Sequence, residues 1–172
     1  MKLLVFNYPI ADFITNAQVL SMYRANTTFD NGGEPLVTDT ILSNSDTQIL
    51  TRYLKAGSVL VADVMSGYAH DIVDSQGVIT ALNPYQFDAT LGELTHQLIY
   101  RLNMPDAFLT SATSGIDEAI RDGLENYLLF RTAKHRATEF QSYEMDWEKC
   151  LSNIRGYLNR RTESVRRDYN LF

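Results

Sequence analysis

Apolar residues recur along this chain with two different periods. Over residues 12–24, Phe13, Ala17, Leu20 and Tyr23 fall at helical spacing and predict a short amphipathic helix. A stronger helix follows in "SNSDTQILTRYLKAGSVLVADVMSGY". One line of it runs through Ile49, Tyr53, Ala56, Leu60, Val64 and Tyr68, and a second through Leu50, Leu54, Val61 and Met65. So broad an apolar face predicts cover on more than one side. Asn44 or Ser45 is the expected N-cap, Asp46 suits the positive end, and Gly67 is the expected C-cap. A third helix is predicted in "TSGIDEAIRDGLENYLLFRTAKHRATEF", capped by Ser114 with Asp117 and Glu118 in its first turn. Its buried stripe is Ile116, Ile120, Leu124, Tyr127, Leu128 and Arg131. A fourth, "SYEMDWEKCLSNIRGYLNRR", has the stripe Trp147, Cys150, Leu151, Ile154, Tyr157 and Leu158, with Glu144, Glu148 and Arg155 on the solvated side. The short link between the last two predicts an antiparallel pair.

The middle of the chain changes period. Two short runs flank Asp74, Ser75, Gln76 and Gly77 and predict a hairpin. In "HQLIYRLNMP", Leu98, Tyr100, Leu102 and Met104 alternate with Gln97, Arg101 and Asn103, which predicts a strand ended by Pro105. The expected fold is mainly α: a bundle of three to four helices with a small inserted antiparallel β-sheet or hairpin over about residues 70–105. "NTTFDNGGEPLVTDT" predicts a loop long enough to suggest a function or ordering by a partner.

The 172 residues carry 45% hydrophobic and 21% charged side chains, which suits one domain with a sizeable core. One domain is expected over residues 1–160, with 161–172 as a separate docking tail. The single cysteine, Cys150, cannot form an internal disulfide, and nothing in the composition points to an oxidising compartment. The opening "MKLLVFNYPIADF" is interrupted by Asn7, Pro9 and Asp12, too early for a signal-peptide core. No apolar run approaches the roughly 20 residues of a membrane span. The expectation is a soluble protein made in the cytoplasm, with no membrane partner.

Charge changes the picture more. The net charge is −6, yet residues 1–100 carry 4 Lys/Arg against 10 Asp/Glu, and from Arg155 onward there are 5 Arg against 2 acids. Opposite charge on two regions of one chain suits head-to-tail contact between copies, or an acidic partner. Basic residues near a helix C-terminus also complement its dipole, which could account for Arg155, Arg160 and Arg161. It fits Arg166 and Arg167 less well.

Candidate chemistry is sparse. His70, His96 and His135 have no metal-ligand spacing, and neither CxxC nor HExxH occurs. Cys150 lies on an apolar stripe and reads as a core thiol. The glycines of residues 30–33 lack the Lys-Ser/Thr of a phosphate loop. The carboxylates of Asp117, Glu118, Asp122 and Glu125 read as a charged helix face. No catalytic residue, metal or cofactor is therefore expected. The acidic balance also argues against a nucleic-acid reader.

The order of parts, and the stretches "DTQILTRYLKAGSVLVADVMSGY", "IYRLNMPDAF", "IDEAIRDGLENYLLFRTA" and "WEKCLSNIRGYLNRRTESVRR", resemble the head–tail connector (adaptor or neck) proteins of tailed bacteriophages, especially those of Bacteroides-type phages. The resemblance spans about two thirds of the chain and leaves out the first 44 residues. The family's last helix typically runs into an arginine-rich, often proline-containing tail; here the tail has Glu163 and Ser164 and no proline. The resemblance implies a virion structural protein without catalytic residues, forming a homo-oligomeric ring of about twelve copies. The ring would join the portal protein to the tail or a second neck protein and continue the DNA channel, touching DNA only non-specifically. The sites it implies lie in the tail: Arg160, Arg161, Arg166 and Arg167 for acidic surface on the portal or the neighbouring copy, and Tyr169, Leu171 and Phe172 as apolar anchors. The acidic region would face the channel and let DNA slide. A tail completion protein or another neck ring would share these physics; a free intracellular helical adaptor or enzyme is the remaining alternative.

Overall fold

Twenty consecutive residues without Gly or Pro at a damaging position, and apolar groups at every third or fourth place, leave a chain few options but helix. The computed structural model describes residues 2–27, 42, 46–66, 68, 72–73, 79–80, 85–87, 97–136 and 141–160. Among them are four α-helices: α1 (Ile10–Thr27), α2 (Thr47–Ser66), α3 (Thr113–Arg136) and α4 (Gln141–Leu158). Strands β1 (Lys2–Pro9), β4 (Tyr85–Phe87) and β5 (Gln97–Met104) form one antiparallel sheet in the order β1-β5-β4. Strands β2 (Ile72–Val73) and β3 (Ile79–Thr80) pair antiparallel in a second, two-stranded sheet. The mainly helical bundle with a small antiparallel sheet is the expected class.

Residue pairs fix how the helices run. Tyr127 of α3 meets Gly57 of α2 and packs at a tilt against Trp147 of α4, with ring centroids 4.9 Å apart and planes 54° to each other. Arg131, one turn on, lies over the Tyr53 ring of α2 at 5.1 Å. Tyr157 near the end of α4 rests on Gly115 at the start of α3. α2 and α4 therefore both run antiparallel to α3, as expected for the α3–α4 pair. On another side, Arg121 covers Tyr8 and Asn16 donates to Glu125, so α1 runs parallel to α3.

The sheet is not only a mid-chain insertion. Its β1 edge comes from the first residues of the chain, and every residue of β1 is paired with one of β5, Leu4 with Leu102 and Tyr8 with Leu98. Leu4, Phe6 and Tyr8 point inward beside Leu98, Tyr100, Leu102 and Met104, all buried. The Tyr100 hydroxyl donates to the Ser58 carbonyl of α2 at 3.1 Å, tying sheet to bundle. Pro9 closes β1 where a missing N–H costs least, at the junction with the first turn of α1.

Several local expectations change. In α2 the core line is Leu50, Leu54, Val61 and Met65; of the other line, Ile49 and Leu60 are exposed and Tyr53, Val64 and Tyr68 only partly covered. Ser114 does not cap α3. A 3-10 turn over Thr110–Ala112 leads into the helix, so Ser114 lies inside it with its hydroxyl directed to the Ser111 carbonyl, and Asp117 and Glu118 fall past the first turn. α1 extends to Thr27, three residues further than expected. The expected caps Asn44, Ser45 and Gly67, and the turn at Asp74 to Gly77, lie outside the described residues. Of the predicted loop, Asn26 and Thr27 belong instead to α1 and residues 28–40 lie outside the described residues; just beyond it, Leu42 is buried and its N–H donates to the Ser21 hydroxyl at 3.1 Å.

Candidate functional site

The basic segment after α4 has a well-defined root. The last turn of α4 places the far end of the Tyr157 ring against Gly115, where a Cβ would come within 2.6 Å of it. The Arg160 guanidinium stacks on the same ring, 4.5 Å from its centroid. Arg160 also offers its carbonyl to the Leu109 N–H at 3.2 Å, while its own N–H bonds the Tyr157 carbonyl at 3.1 Å. Asn159 reaches the Tyr68 hydroxyl beyond the end of α2. On the other flank, Lys2 at the start of β1 donates to the Phe108 carbonyl at 2.8 Å and lies 3.4 Å from the Thr110 hydroxyl.

The start of β1, the turn into α3 and the end of α4 thus converge on one pole of the bundle. Lys2 and Arg160 bracket residues 108–110, which lead through the 3-10 turn into α3, where the Thr113 N–H donates to the Thr110 carbonyl. This pole suits carboxylates of a partner surface, and it sets where the chain beyond residue 160 departs. Of the residues expected to act, Arg160 is thereby placed. Arg161, Arg166, Arg167, Tyr169, Leu171 and Phe172 lie outside the described residues. Arg155 is in the last turn of α4 and exposed, where its charge complements the dipole.

Sequence reasoning passed over Lys2, Leu3 and Val5. The alternation of Leu4, Phe6, Tyr8 and Ile10 was available as a signal, but Leu3 and Val5 are apolar too, so both faces of the strand read alike. Leu3 and Val5 stand on the outer face of the sheet, 58% and 53% exposed.

The titratable groups elsewhere are held by packing. Burial pushes the Cys150 thiol up to about 11, with Asp122 and Asp146 adding to it; the sulfur-bearing side chain packs against Gly123. That is a core thiol, not a nucleophile. Burial likewise holds the Glu125 carboxyl above its usual range, against the opposing hydrogen bond from Asn16 at 2.8 Å. Asp117 pairs with Arg121 one turn on at 3.3 Å in an exposed ion pair, worth about 0.3–0.5 kcal/mol. Among the described residues, no group of three or more His, Cys, Asp and Glu is placed to hold a metal. His70 and His96 lie outside them. No helix of the described residues is long and apolar enough to cross a membrane.

Compared with known proteins, the chain matches no family model, no curated protein and no solved structure. The fold and the pole therefore carry the functional argument.

Proposed function

We propose that this chain is a structural protein of the head–tail connector of a tailed phage, in which about twelve copies form a ring between the portal protein and the tail. The observation that carries the reading is the rooted exit of the basic segment. Arg160 is fixed by backbone and ring contacts at one pole, so residues 161–172 leave every copy from the same place. A repeated, identically placed arm is what a ring needs to hold a neighbour or a portal. Arginine suits this contact because its planar fork pairs bidentately with carboxylates. Tyr169, Leu171 and Phe172 add the apolar anchors on which interface energy concentrates. The resemblance of the helical stretches and of the β5 strand to connector proteins agrees with this.

In the assembled neck, the acidic first hundred residues would repel passing DNA and keep the channel from binding it. The virion is the working location. The test is to purify particles of the phage that encodes this chain and quantify their proteins. The reading expects this chain at a fixed ratio to the portal, about one copy per portal subunit. Its absence from particles that carry portal and tail would overturn the reading.

A further inference from the structure

β1 is an edge strand that lacks the usual protection. Natural sheets blunt their edges with charges, prolines or bulges placed along the strand. Here Lys2 and Pro9 occupy only the two ends, and residues 3–8 carry no charge. Among the described residues β5 is the sole strand partner of β1. The outer face of this strand carries the apolar Leu3 and Val5, each more than half exposed, and beyond them Asn7, which donates to Gln97 at 2.9 Å. Among the described residues, no strand pairs with the other edge of β1.

The segment 161–172 has the composition to do so. In extended form, Val165, Arg167, Tyr169 and Leu171 fall on one side, and Val and Tyr favour strands. Residues 165–172 match the 8 residues of β1 in length. Residues 161–164 add a reach of about 13 Å from the root. The root itself lies beside the turn that Lys2 of β1 contacts.

We infer that residues 165–172 of one copy add as an antiparallel strand to the β1 edge of the neighbouring copy, with Leu171 opposite Leu3 and Tyr169 opposite Val5. This register joins the apolar outer faces and puts Arg167 opposite Asn7. It also brings the Arg166–Arg167 pair to the end of β1 that leads into exposed Asp12. Slipping by one residue would turn Tyr169 and Leu171 to the opposite face, so the register is specified. Each copy supplies one segment and accepts one, a heterologous contact of the kind that can close into a ring, and it pairs the β1 edge of every copy. The inference rests on the ring reading and names the surface the segment meets.

The test uses two full-length variants, Val5→Cys and Tyr169→Cys, both carrying Cys150→Ala so that no other thiol is present. Circular dichroism melting first confirms that each is folded. Mixed and mildly oxidised, alone and with portal present, they should give a crosslinked dimer on a non-reducing gel. A doubly substituted chain should give a ladder of higher species. Met145→Cys, on exposed α4, replaces Val5→Cys as the control and should crosslink at least tenfold less. A doubly substituted chain that only closes on itself, no crosslink at all, or equal crosslinking by the control would each overturn the inference. The mass of the unmodified chain is measured alongside. A ring without the crosslink rejects this docking surface alone; neither ring nor crosslink rejects the connector reading as well.

Discussion

The ring of Tyr157 lies on the backbone of Gly115, so that a Cβ at residue 115 would sit 2.6 Å from the far end of the ring. The same ring carries Arg160 on its edge of the bundle. Gly115→Ala must therefore displace Tyr157, and with it the root of the basic segment. The expected cost is about 1–3 kcal/mol in urea unfolding, as for overpacked sites. Gly156→Ala is the matched control, because nothing lies within 4 Å of a Cβ there. It should be neutral or stabilise by up to about 1 kcal/mol through helix propensity. Equal effects of the two substitutions would contradict the contact.

Tyr8 and Tyr100 are neighbours in the core, with ring centroids 6.4 Å apart, yet their hydroxyls fare differently. That of Tyr100 donates to Ser58, while that of Tyr8 is buried without a hydrogen-bond partner. Burial, with Asp117 nearby, holds the Tyr8 phenol far above its ordinary range, although no hydrogen bond joins the two groups. Tyr100→Phe should cost about 0.5–1.5 kcal/mol, and Tyr8→Phe should be neutral or stabilising. Thermal melts of the two variants at one pH decide it.

Glu125 gives a pH dependence of defined sign. Its folded-state carboxyl titrates above the unfolded value of 4.5, chiefly because it is buried. The folded chain therefore binds this proton more tightly, and the group destabilises the fold as pH rises through that window. Glu125→Gln keeps an acceptor for Asn16 and removes the charge. It should be more stable than the parent at neutral pH, with the gain fading towards about pH 4. Urea titrations across this range would show the opposite trend if Glu125 were stabilised as the carboxylate.

Cys150 should be nearly inert in the native chain. A thiol held near 11 has a thiolate fraction at pH 8 on the order of 100-fold below that of an ordinary cysteine. Reaction with a chromogenic disulfide should accelerate by at least that factor in urea. Fast labelling of the folded protein would show that the thiol is neither buried nor structural.

Much of this molecule is legible from periodicity. The stripes of α3 and α4 and the alternation of β5 emerge where the sequence places them, because each buries one face and solvates the other. β1 was not legible. Leu3 and Val5 make its outer face as apolar as its inner one, and only pairing with β5, a hundred residues away, selects strand over a short apolar run. In α2 two apolar lines compete, and the choice of Leu50 to Met65 over Ile49 to Leu60 depends on where Tyr127 finds room beside Gly57. The start of α3 moved because residues 110–112 form a 3-10 turn, and Leu109 just before it is held by the Arg160 carbonyl beyond α4, a contact with no local signal. Of the site, the arginine-rich segment was visible as charge, whereas its root at Leu109 and Lys2 required the fold.

As a proposed ring-forming connector, this chain would hold its assembly together through residues 161–172. The most direct measurement is the native mass of the purified full-length protein, alone and mixed with its portal, compared with a variant lacking residues 161–172. The account predicts a ring-sized complex for the full chain with portal, and a variant that keeps its helical circular dichroism but stays monomeric. A full-length chain that remains monomeric beside the portal, or a ring indifferent to the deletion, would contradict it.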